Sequence, residues 1–443
     1  MVGVIMFFAA LLMLSIGYPV AFTFGSVSIF FGILAAIVEL APDLTFVLVV
    51  EEFLQMFSMM PFRIYSIMNN TILMAIPLFI FMGIILQKSD LAERLLEAMG
   101  TLFGKIRGGV AVSTVIVGTL LAASTGVVGA SVVAMGVISL PVMLKYGYSK
   151  KLATGTICAA GTLGQIIPPS IVLIILGDVF QQPVGDLFQA AIAPGLILVV
   201  CYTAYILVWS FLNKEVAPPI PVQEGSRLGN VKRAIIAIFP PLTLIVMVLG
   251  SIFAGIATPT ESASVGSVGA LVLAAMYKKL SLRIVEEAAL ETVKITAMVF
   301  AILIGATAFS MVFVYSGADY LVEDALTNLP GQKWTFLLLS MLSIMLLGFF
   351  IDFIEISYIV VPILLPIADI IGLNPLWFAI LIAMNLQTSF LTPPFGFSLF
   401  YLKGVCPPEV RTVDLYRGVV PFIVIQVAVL ISIVVFPEFY GFQ

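Results

Sequence analysis

The sequence Gly161-Thr162-Leu163-Gly164-Gln165-Ile166-Ile167-Pro168-Pro169-Ser170 interrupts an apolar segment that is otherwise suited to cross a membrane. Pro168 and Pro169 lack an amide hydrogen and clash with the preceding helical turn, and the residue before a proline is pushed out of the α region. The sequence therefore predicts a broken helix at membrane depth. Non-helical backbone is tolerated there only where protein covers it or where it lines a watery cavity, so the break is a candidate binding site.

A second proline pair stands 225 residues later, in Gln387-Thr388-Ser389-Phe390-Leu391-Thr392-Pro393-Pro394. The same spacing relates Pro141 to Pro366 and the turn at Tyr148 to the turn at Leu373. Two related halves that each carry an interrupted helix are typical of secondary transporters.

The composition indicates a membrane protein, because 61% of the 443 residues are hydrophobic and only 10% are charged, whereas a soluble domain has about 25% charged residues. Histidine is absent, which excludes His-ligated metals and any Ser-His or Cys-His nucleophile pair. The three cysteines form no pairing framework. We therefore expect neither enzymatic activity nor a cofactor.

Two apolar segments, 108–144 and 334–371, are much longer than the roughly 20 residues that span a bilayer. The first has lysines or arginines at both ends and small, turn-forming residues at 124–129. We interpret it as a re-entrant helical hairpin, and 334–371, which carries Asp352 and Glu355 near its centre, as the partner hairpin. Interrupted helices are predicted over 152–180 and 375–402.

The distribution of charge supports this topology. With a cytoplasmic N terminus, two hairpins and roughly nine full spans, every Lys and Arg except Arg63 and Lys333 lies on the cytoplasmic side. The halves then have opposite orientations. The sequence thus predicts an all-α polytopic membrane protein built as an inverted repeat, with a first repeat at 1–213, a cytoplasmic linker at 214–233 and a second repeat at 234–443. Segments 39–63 and 281–294 are predicted to be amphipathic interfacial arms.

The chemistry of each candidate residue allows a structural alternative. Free carbonyls of a broken helix and hydroxyls at a hairpin tip suit a bare cation, but a proline pair can also be a simple kink. Asp352 and Glu355, one turn apart, suit a cation or a proton, unless they are hydrated at the interface or paired. Glu261 is interpreted as an early acidic residue of a helix whose N-cap is Thr260.

Several ordered motifs resemble the large permease subunit of TRAP (tripartite ATP-independent periplasmic) transporters. The resemblance covers essentially the whole chain and rests on Thr125-Gly126, Leu140-Pro141, the break at 161–171, and segments 132–136, 255–261, 362–366 and 393–396. Such subunits are similar to sodium-coupled elevator transporters. They work with a small four-helix membrane subunit in the bacterial inner membrane, and a periplasmic binding protein delivers an organic acid.

The resemblance implies two sodium sites, each formed by a hairpin tip and a broken helix. Carried over to this chain, the first comprises Ser124, Thr125, Gly126, Gly161, Gly164 and Pro168. The second comprises Asp352, Glu355, Gln387, Thr388 and Thr392. The substrate carboxylate is expected to meet Ser131, Gln165, Ser357 and Ser389.

Departures from the commoner family pattern bear on the substrate. Many members have serines where Val127, Val128, Ile354 and Glu355 stand here, and the version at 351–357 resembles members assigned to 2-oxo acids, lactate or aromatic acids. The rival hypotheses are a self-sufficient sodium- or proton-coupled symporter for dicarboxylates or other anions, a proton-moving subunit that uses Asp352 and Glu355, and a channel.

Overall fold

The computed structural model describes residues 1–40, 45–126, 128–220, 227–328 and 330–442, and the regular elements of this described part are helices. The first half contains α1 (Val2–Ile16), α2 (Val20–Glu39), α3 (Phe46–Met56), α4 (Met60–Met68), α5 (Ala75–Lys88), α6 (Leu91–Phe103), α7 (Gly109–Thr125), α8 (Val128–Lys145), α9 (Lys150–Thr162), α10 (Ile171–Val179) and α11 (Val184–Leu212).

The second half has one long helix that the sequence analysis divided in two. Its helices are α12 (Arg227–Phe253), α13 (Pro259–Met276), α14 (Leu282–Tyr315), α15 (Ala318–Thr327), α16 (Gln332–Leu347), α17 (Phe353–Glu355), α18 (Val361–Ile370), α19 (Pro375–Leu391), α20 (Phe397–Val405) and α21 (Thr412–Val435). Because α14 is continuous, residues 282–294 run without a break into the apolar segment that follows, and their interfacial role stays a prediction. The linker is also shorter than predicted, since α12 begins at Arg227.

The helices form two compact units, and each unit draws on both halves of the sequence. One unit contains Met1–Leu73 and Val293–Pro375, and the other contains Met74–Thr292 and Leu376–Gln443. The first hairpin and both broken helices belong to the second unit, while the 334–371 segment belongs to the first unit.

Seven helices in the described part are long and apolar enough to cross a membrane, or up to eight if one bent pair counts as a single span. The sequence analysis expected more spans because it counted interrupted segments whole. The segment 152–180, for example, is divided into α9 and α10, of 13 and 9 residues, and neither is long enough to count as a span.

The 225-residue spacing reappears in the local structure. Pro141 lies inside α8 and Pro366 lies inside α18, and these helices end at residues 145 and 370. Each is followed by a left-handed glycine, Gly147 or Gly372, with φ values of 77° and 73°. The closing hydrogen bonds also correspond, from Tyr148 N to Met143 O at 3.0 Å and from Leu373 N to Ala368 O at 2.9 Å. These helix ends are therefore built in the same way, as expected of a repeat.

Helix α9 is the centre of the second unit, since all its residues from Leu152 to Thr162 are buried. It packs against both arms of the first hairpin, α7 and α8, and against α21. Two glycines permit the last contact, because a Cβ atom added at Gly155 would lie 2.1 Å from the carbonyl oxygen of Gly418. The backbones of α9 and α21 thus touch directly.

Glu261 has the structural role that the sequence analysis gave it, but the N-cap is different. Thr258, not Thr260, caps α13, and its hydroxyl accepts the Glu261 amide at 3.3 Å. The Glu261 carboxylate accepts the Thr258 amide at 2.8 Å in return. This reciprocal pair is a capping box, which a proline at the first helical position accompanies.

The contact of α9 with α21 predicts that Gly155→Ala lowers stability. The added methyl group overlaps a backbone carbonyl that cannot rotate away, and such overpacking costs about 1–3 kcal/mol. The thermal unfolding midpoint of the purified protein in detergent measures the effect. Gly404→Ala is the control, because nothing lies within 4 Å of a Cβ atom added there in α20. Equal midpoints for both variants would contradict the predicted contact.

Candidate functional site

The first break interrupts the polypeptide where the prolines predict it. Helix α9 ends at Thr162, a 3-10 turn covers Leu163–Gln165, and α10 begins only at Ile171. The Pro168–Pro169 peptide bond is cis, as is Pro393–Pro394 in the second break. All residues of 161–170 except Ile167 are buried. The prediction of a broken helix at 152–180 is therefore confirmed for this segment.

A serine replaces one lost backbone donor in each break. In a regular helix the amide of residue 169 would donate to the carbonyl of Gln165, but Pro169 has no amide hydrogen. The Ser170 hydroxyl donates to that carbonyl instead, at 2.6 Å, and its oxygen also accepts the Leu173 amide at 3.4 Å.

At the second break a serine again donates to the equivalent carbonyl, but from farther along the chain. Pro394 cannot donate to the Phe390 carbonyl, and the buried Ser398 hydroxyl donates to it at 2.8 Å. Ser398 was not predicted from the sequence, because it lies three positions later than the 225-residue spacing would place it, beyond the motif, and acts across the break. Each break is thus an ordered structure whose backbone is partly satisfied by side chains.

The tip of the first hairpin lies against the first break. A Cβ atom added at Gly126 would lie 3.1 Å from the Ile171 side chain, and one added at Gly164 would lie 3.1 Å from the Ala122 carbonyl oxygen. A Cβ atom at Gly161 would lie 2.3 Å from the side chain of Val132. The predicted glycines of the first sodium site are therefore brought to one place, with hairpin and break in van der Waals contact.

For the remaining predicted residues, the structure describes some side chains and not others. Pro168 is buried beside the 3-10 turn, and Ser131 is buried in α8, one turn beyond the tip. Ser124 and Thr125 end α7, but their side chains lie outside the described part of the structure, as does Val127.

Two glutamines stand out among the buried side chains. Gln165 and Gln387 are both fully buried, and neither amide oxygen nor amide nitrogen has a hydrogen-bond partner in the described part of the chain. The same holds for Gln426 in α21, so what distinguishes Gln165 and Gln387 is their position at the two breaks. An unsatisfied buried amide group costs about 1–3 kcal/mol, and such groups are uncommon in folded proteins. Side chains of this kind are therefore available to a ligand or to water.

The hydroxyls of the second break donate their protons to their own helix. Thr388 donates to Met384 O at 2.9 Å, Thr392 donates to Thr388 O at 2.7 Å, and Ser389 donates to Leu386 O at 2.8 Å. A hydroxyl oxygen that donates its proton keeps its lone pairs. These oxygens are thus oriented as acceptors and suit a cation better than an anion.

The acidic part of the second predicted site belongs to the first unit. Asp352 caps α17, where its Oδ1 accepts the Phe353 amide at 2.7 Å. Glu355 is 2% exposed and Ser357 is fully buried, and neither Glu355 Oε2 nor Ser357 Oγ has a partner among the described residues. A π-helical turn follows at Ile356–Val360, and such turns are frequent at functional sites.

The two broken helices run side by side in opposite directions within the second unit. Cys158 Sγ, in α9, lies 3.7 Å from Ser398 O, in α20. At the other end, the ring centres of Phe180, after α10, and Phe378, in α19, are 5.9 Å apart. This antiparallel arrangement supports the predicted inversion of the repeats, which remains a prediction for the halves as wholes.

Removal of either bridging serine is predicted to destabilise the protein. Ser170→Ala or Ser398→Ala leaves a buried carbonyl without its donor, at a cost of about 1–3 kcal/mol. Ser113→Ala is the matched control, because this buried hydroxyl donates to Gly109 O at 2.9 Å within regular helix. Thermal unfolding in detergent compares the three variants. The bridging role is refuted if the control loses as much stability as the other two.

Comparison with known proteins agrees with this geometry. Residues 5–439 match the family described as tripartite ATP-independent periplasmic transporter, DctM component. The chain is 31% identical over 378 residues to the C4-dicarboxylate TRAP transporter large permease protein DctM of Pseudomonas aeruginosa, which covers 85% of this chain and 86% of that protein.

Further relatives have names that specify other substrates. The sialic acid TRAP transporter large permease protein SiaM of Vibrio cholerae is 29% identical, with 84% of this chain and 86% of that protein covered. The ectoine/5-hydroxyectoine protein UehC of Ruegeria pomeroyi is 31% identical, with 83% and 84% covered.

Among solved structures, the chain resembles the YdaH transporter of Alcanivorax borkumensis, with a TM-score of 0.59 at 14% identity over 88% of this chain and 89% of that one. That likeness concerns the fold alone. The family match over almost the whole chain, and the relatives at about 30% identity, establish more. The chain belongs to the DctM component family of tripartite ATP-independent periplasmic transporters, whose members are large membrane permeases.

Proposed function

We propose that this chain is the permease of a sodium-coupled secondary importer that carries a small organic acid across the bacterial inner membrane. The observation that carries the proposal is the pair of buried amides, Gln165 and Gln387, which have no hydrogen-bond partner in the described part of the chain and stand at the two breaks. Burial of such groups is costly unless they serve a ligand.

Sodium is the proposed coupling ion because the breaks present mostly neutral oxygen atoms. Hard cations bind carbonyl, hydroxyl and carboxylate oxygens. At the first break, the Gly164 carbonyl lacks its helical donor, since residue 168 is a proline. We assign the first site to this backbone with Gly126, Gly161 and the end of α7, and the second to Gln387, Thr388 and Thr392 of the second break.

The substrate is proposed to be an anion that meets amide and hydroxyl groups. The N-terminal ends of α10 and α20 carry partial positive charge and free amide donors, which favour a carboxylate. Gln165 and Ser131 are the proposed side chains, whereas Ser389, whose proton is donated to Leu386 O, suits the anion less well. Ser357 belongs to the other unit and stays a prediction of the sequence. We favour a 2-oxo acid, lactate or a related carboxylate from the sequence at 351–357, and C4-dicarboxylates are the next class to test, given the name of one relative.

The proposed partners are a small membrane subunit and a periplasmic binding protein. The family description names a tripartite, periplasmic system. A relative in Oleidesulfovibrio alaskensis, the isethionate permease protein DctMQ, matches 81% of this chain over only 56% of its own length, so it carries a further segment. We propose that transport follows an elevator mechanism, in which the anion and sodium move together with the broken helices.

A self-sufficient symporter is the second candidate, and one observation favours a proton as its coupling ion. Glu355 is almost fully buried, and none of the ion pairs found among the described residues includes it or Asp352. A carboxyl group in that position either binds a cation or takes up a proton. Uptake into proteoliposomes under a sodium gradient or a proton gradient, with and without binding protein, separates the two candidates.

The sodium sites predict the effect of two substitutions. Gln165→Ala and Thr388→Ala should each weaken the sodium dependence of uptake. Thr388→Ala removes one ligand, worth about 1.4 kcal/mol, and should raise the half-saturating sodium concentration about tenfold. Gln165→Ala should act through the backbone of the first break, to which this residue belongs. Uptake of radiolabelled substrate as a function of sodium concentration measures this, at matched amounts of protein in the membrane.

The control is Gln426→Ala, since this glutamine is equally buried on α21 and lies outside the proposed sites. Its half-saturating sodium concentration should equal that of the wild type, whatever stability is lost. If sodium activation is unchanged in both Gln165→Ala and Thr388→Ala, the assignment of the sodium sites is wrong.

A further inference from the structure

The two breaks differ in how their outer edges are held. At the first break, Pro169, Ser170 and Ile171 are buried, and the hairpin tip contacts Ile171. At the second break, Pro394 is exposed and Phe395 is 43% exposed. Burial therefore holds the outer edge of the first break in place, whereas the exposed outer edge of the second break depends on a specific hydrogen bond.

Tyr416 makes that hydrogen bond. Its hydroxyl donates to the carbonyl oxygen of Pro394 at 3.0 Å. Tyr416 stands in the first helical turns of α21, and this part of α21 is fixed to α9 by the contact between Gly155 and Gly418. The Thr154 hydroxyl, in α9, adds a contact of 3.4 Å to the Asp414 carbonyl. The phenol thus connects the exposed edge of the break to the close backbone contact between α9 and α21.

The Pro394 carbonyl, which accepts the Tyr416 hydroxyl, is close in sequence to the proposed sodium ligands. Thr392 is two residues before Pro394, and the Thr392 carbonyl accepts the Gly396 amide at 3.0 Å. Gly396 has no room for a side chain, because a Cβ atom there would lie 2.7 Å from Phe390 O. A shift of Pro394 therefore moves Gly396 and Thr392 with it, since this loop is wrapped tightly on the end of α19.

We propose that Tyr416 is a positioning residue that holds the second break in the geometry that binds the coupling ion. The inference rests on the proposed function, because it takes Thr388 and Thr392 as sodium ligands. The phenol touches neither the ion nor the substrate. It acts through the Pro394 carbonyl, and the aromatic ring can remain in place when the hydroxyl is removed.

The test uses Tyr416→Phe in the full-length chain, reconstituted with its membrane partner. We expect the half-saturating sodium concentration for uptake to rise about three- to tenfold, the effect of one lost hydrogen bond. The maximal rate and the thermal unfolding midpoint should stay close to wild type, because the bond lies at an exposed edge. Tyr205→Phe is the control, as this tyrosine of α11 stacks on Trp209 in the same unit, far along the chain from the break.

Hydrogen–deuterium exchange gives a readout that is independent of transport. The amides of residues 395–398 should exchange faster in Tyr416→Phe than in the wild type or in Tyr205→Phe. If Tyr416→Phe leaves the exchange rates unchanged, the proposal is wrong. It is also wrong if exchange is faster but the half-saturating sodium concentration stays the same. If wild-type uptake does not depend on sodium, the proposed coupling ion is wrong. The role of Tyr416 is then decided by two other results, the exchange rates of these amides and the change in the half-saturating substrate concentration caused by Tyr416→Phe.

Discussion

Backbone polar groups inside a membrane must find partners within the protein, and the two proline pairs make this requirement acute. The pairs Pro168–Pro169 and Pro393–Pro394 each remove two amide donors from a largely buried helix. In the folded chain, the Ser170 hydroxyl donates a hydrogen bond to the carbonyl of Gln165, and the Ser398 hydroxyl donates one to the carbonyl of Phe390. Three features enclose this irregular backbone: the burial of α9, the glycines that allow the hairpin tip to approach, and the contact with α21.

Enclosure of the break explains why it is suited to transport. A regular helix has no spare acceptors, so it offers an ion only side chains, whereas a broken helix offers carbonyls and the ends of two helix dipoles. At the breaks, this arrangement leaves the buried amides of Gln165 and Gln387 without partners in the described part of the chain. A ligand that binds there gains the interactions that the folded chain leaves unmade, which links the irregular backbone to ion and substrate binding.

The sequence was sufficient to locate the features that depend on local rules. The breaks at 161–170 and 387–394 were predictable because each proline pair follows small and polar residues, whereas the pair Pro240–Pro241 stands among apolar residues inside the continuous helix α12. The turn of the first hairpin falls between α7 and α8, within the predicted 124–129. The equivalent prolines Pro141 and Pro366 both lie inside helices that end alike. Such features repeat because the local sequence repeats.

Features that depend on tertiary contact were not predictable from the sequence. Nothing local distinguishes Ser398 or Tyr416 from other polar residues, because their hydrogen bonds join segments that meet only after folding. The continuity of α14 was missed for a related reason, since an amphipathic segment that runs into an apolar one has no breaker between them. The choice of Thr260 as N-cap was wrong because Pro259 already occupies the first helical position.

The central claim is that the two breaks bind the coupling ion, and equilibrium binding of radioactive sodium to the purified permease tests it most directly. The measurement is made without substrate and in the presence of excess potassium, so that only selective sites register. The account predicts saturable binding that approaches roughly two ions per chain, one for each break. Sodium binding that never saturates, or that potassium displaces equally well, would contradict it.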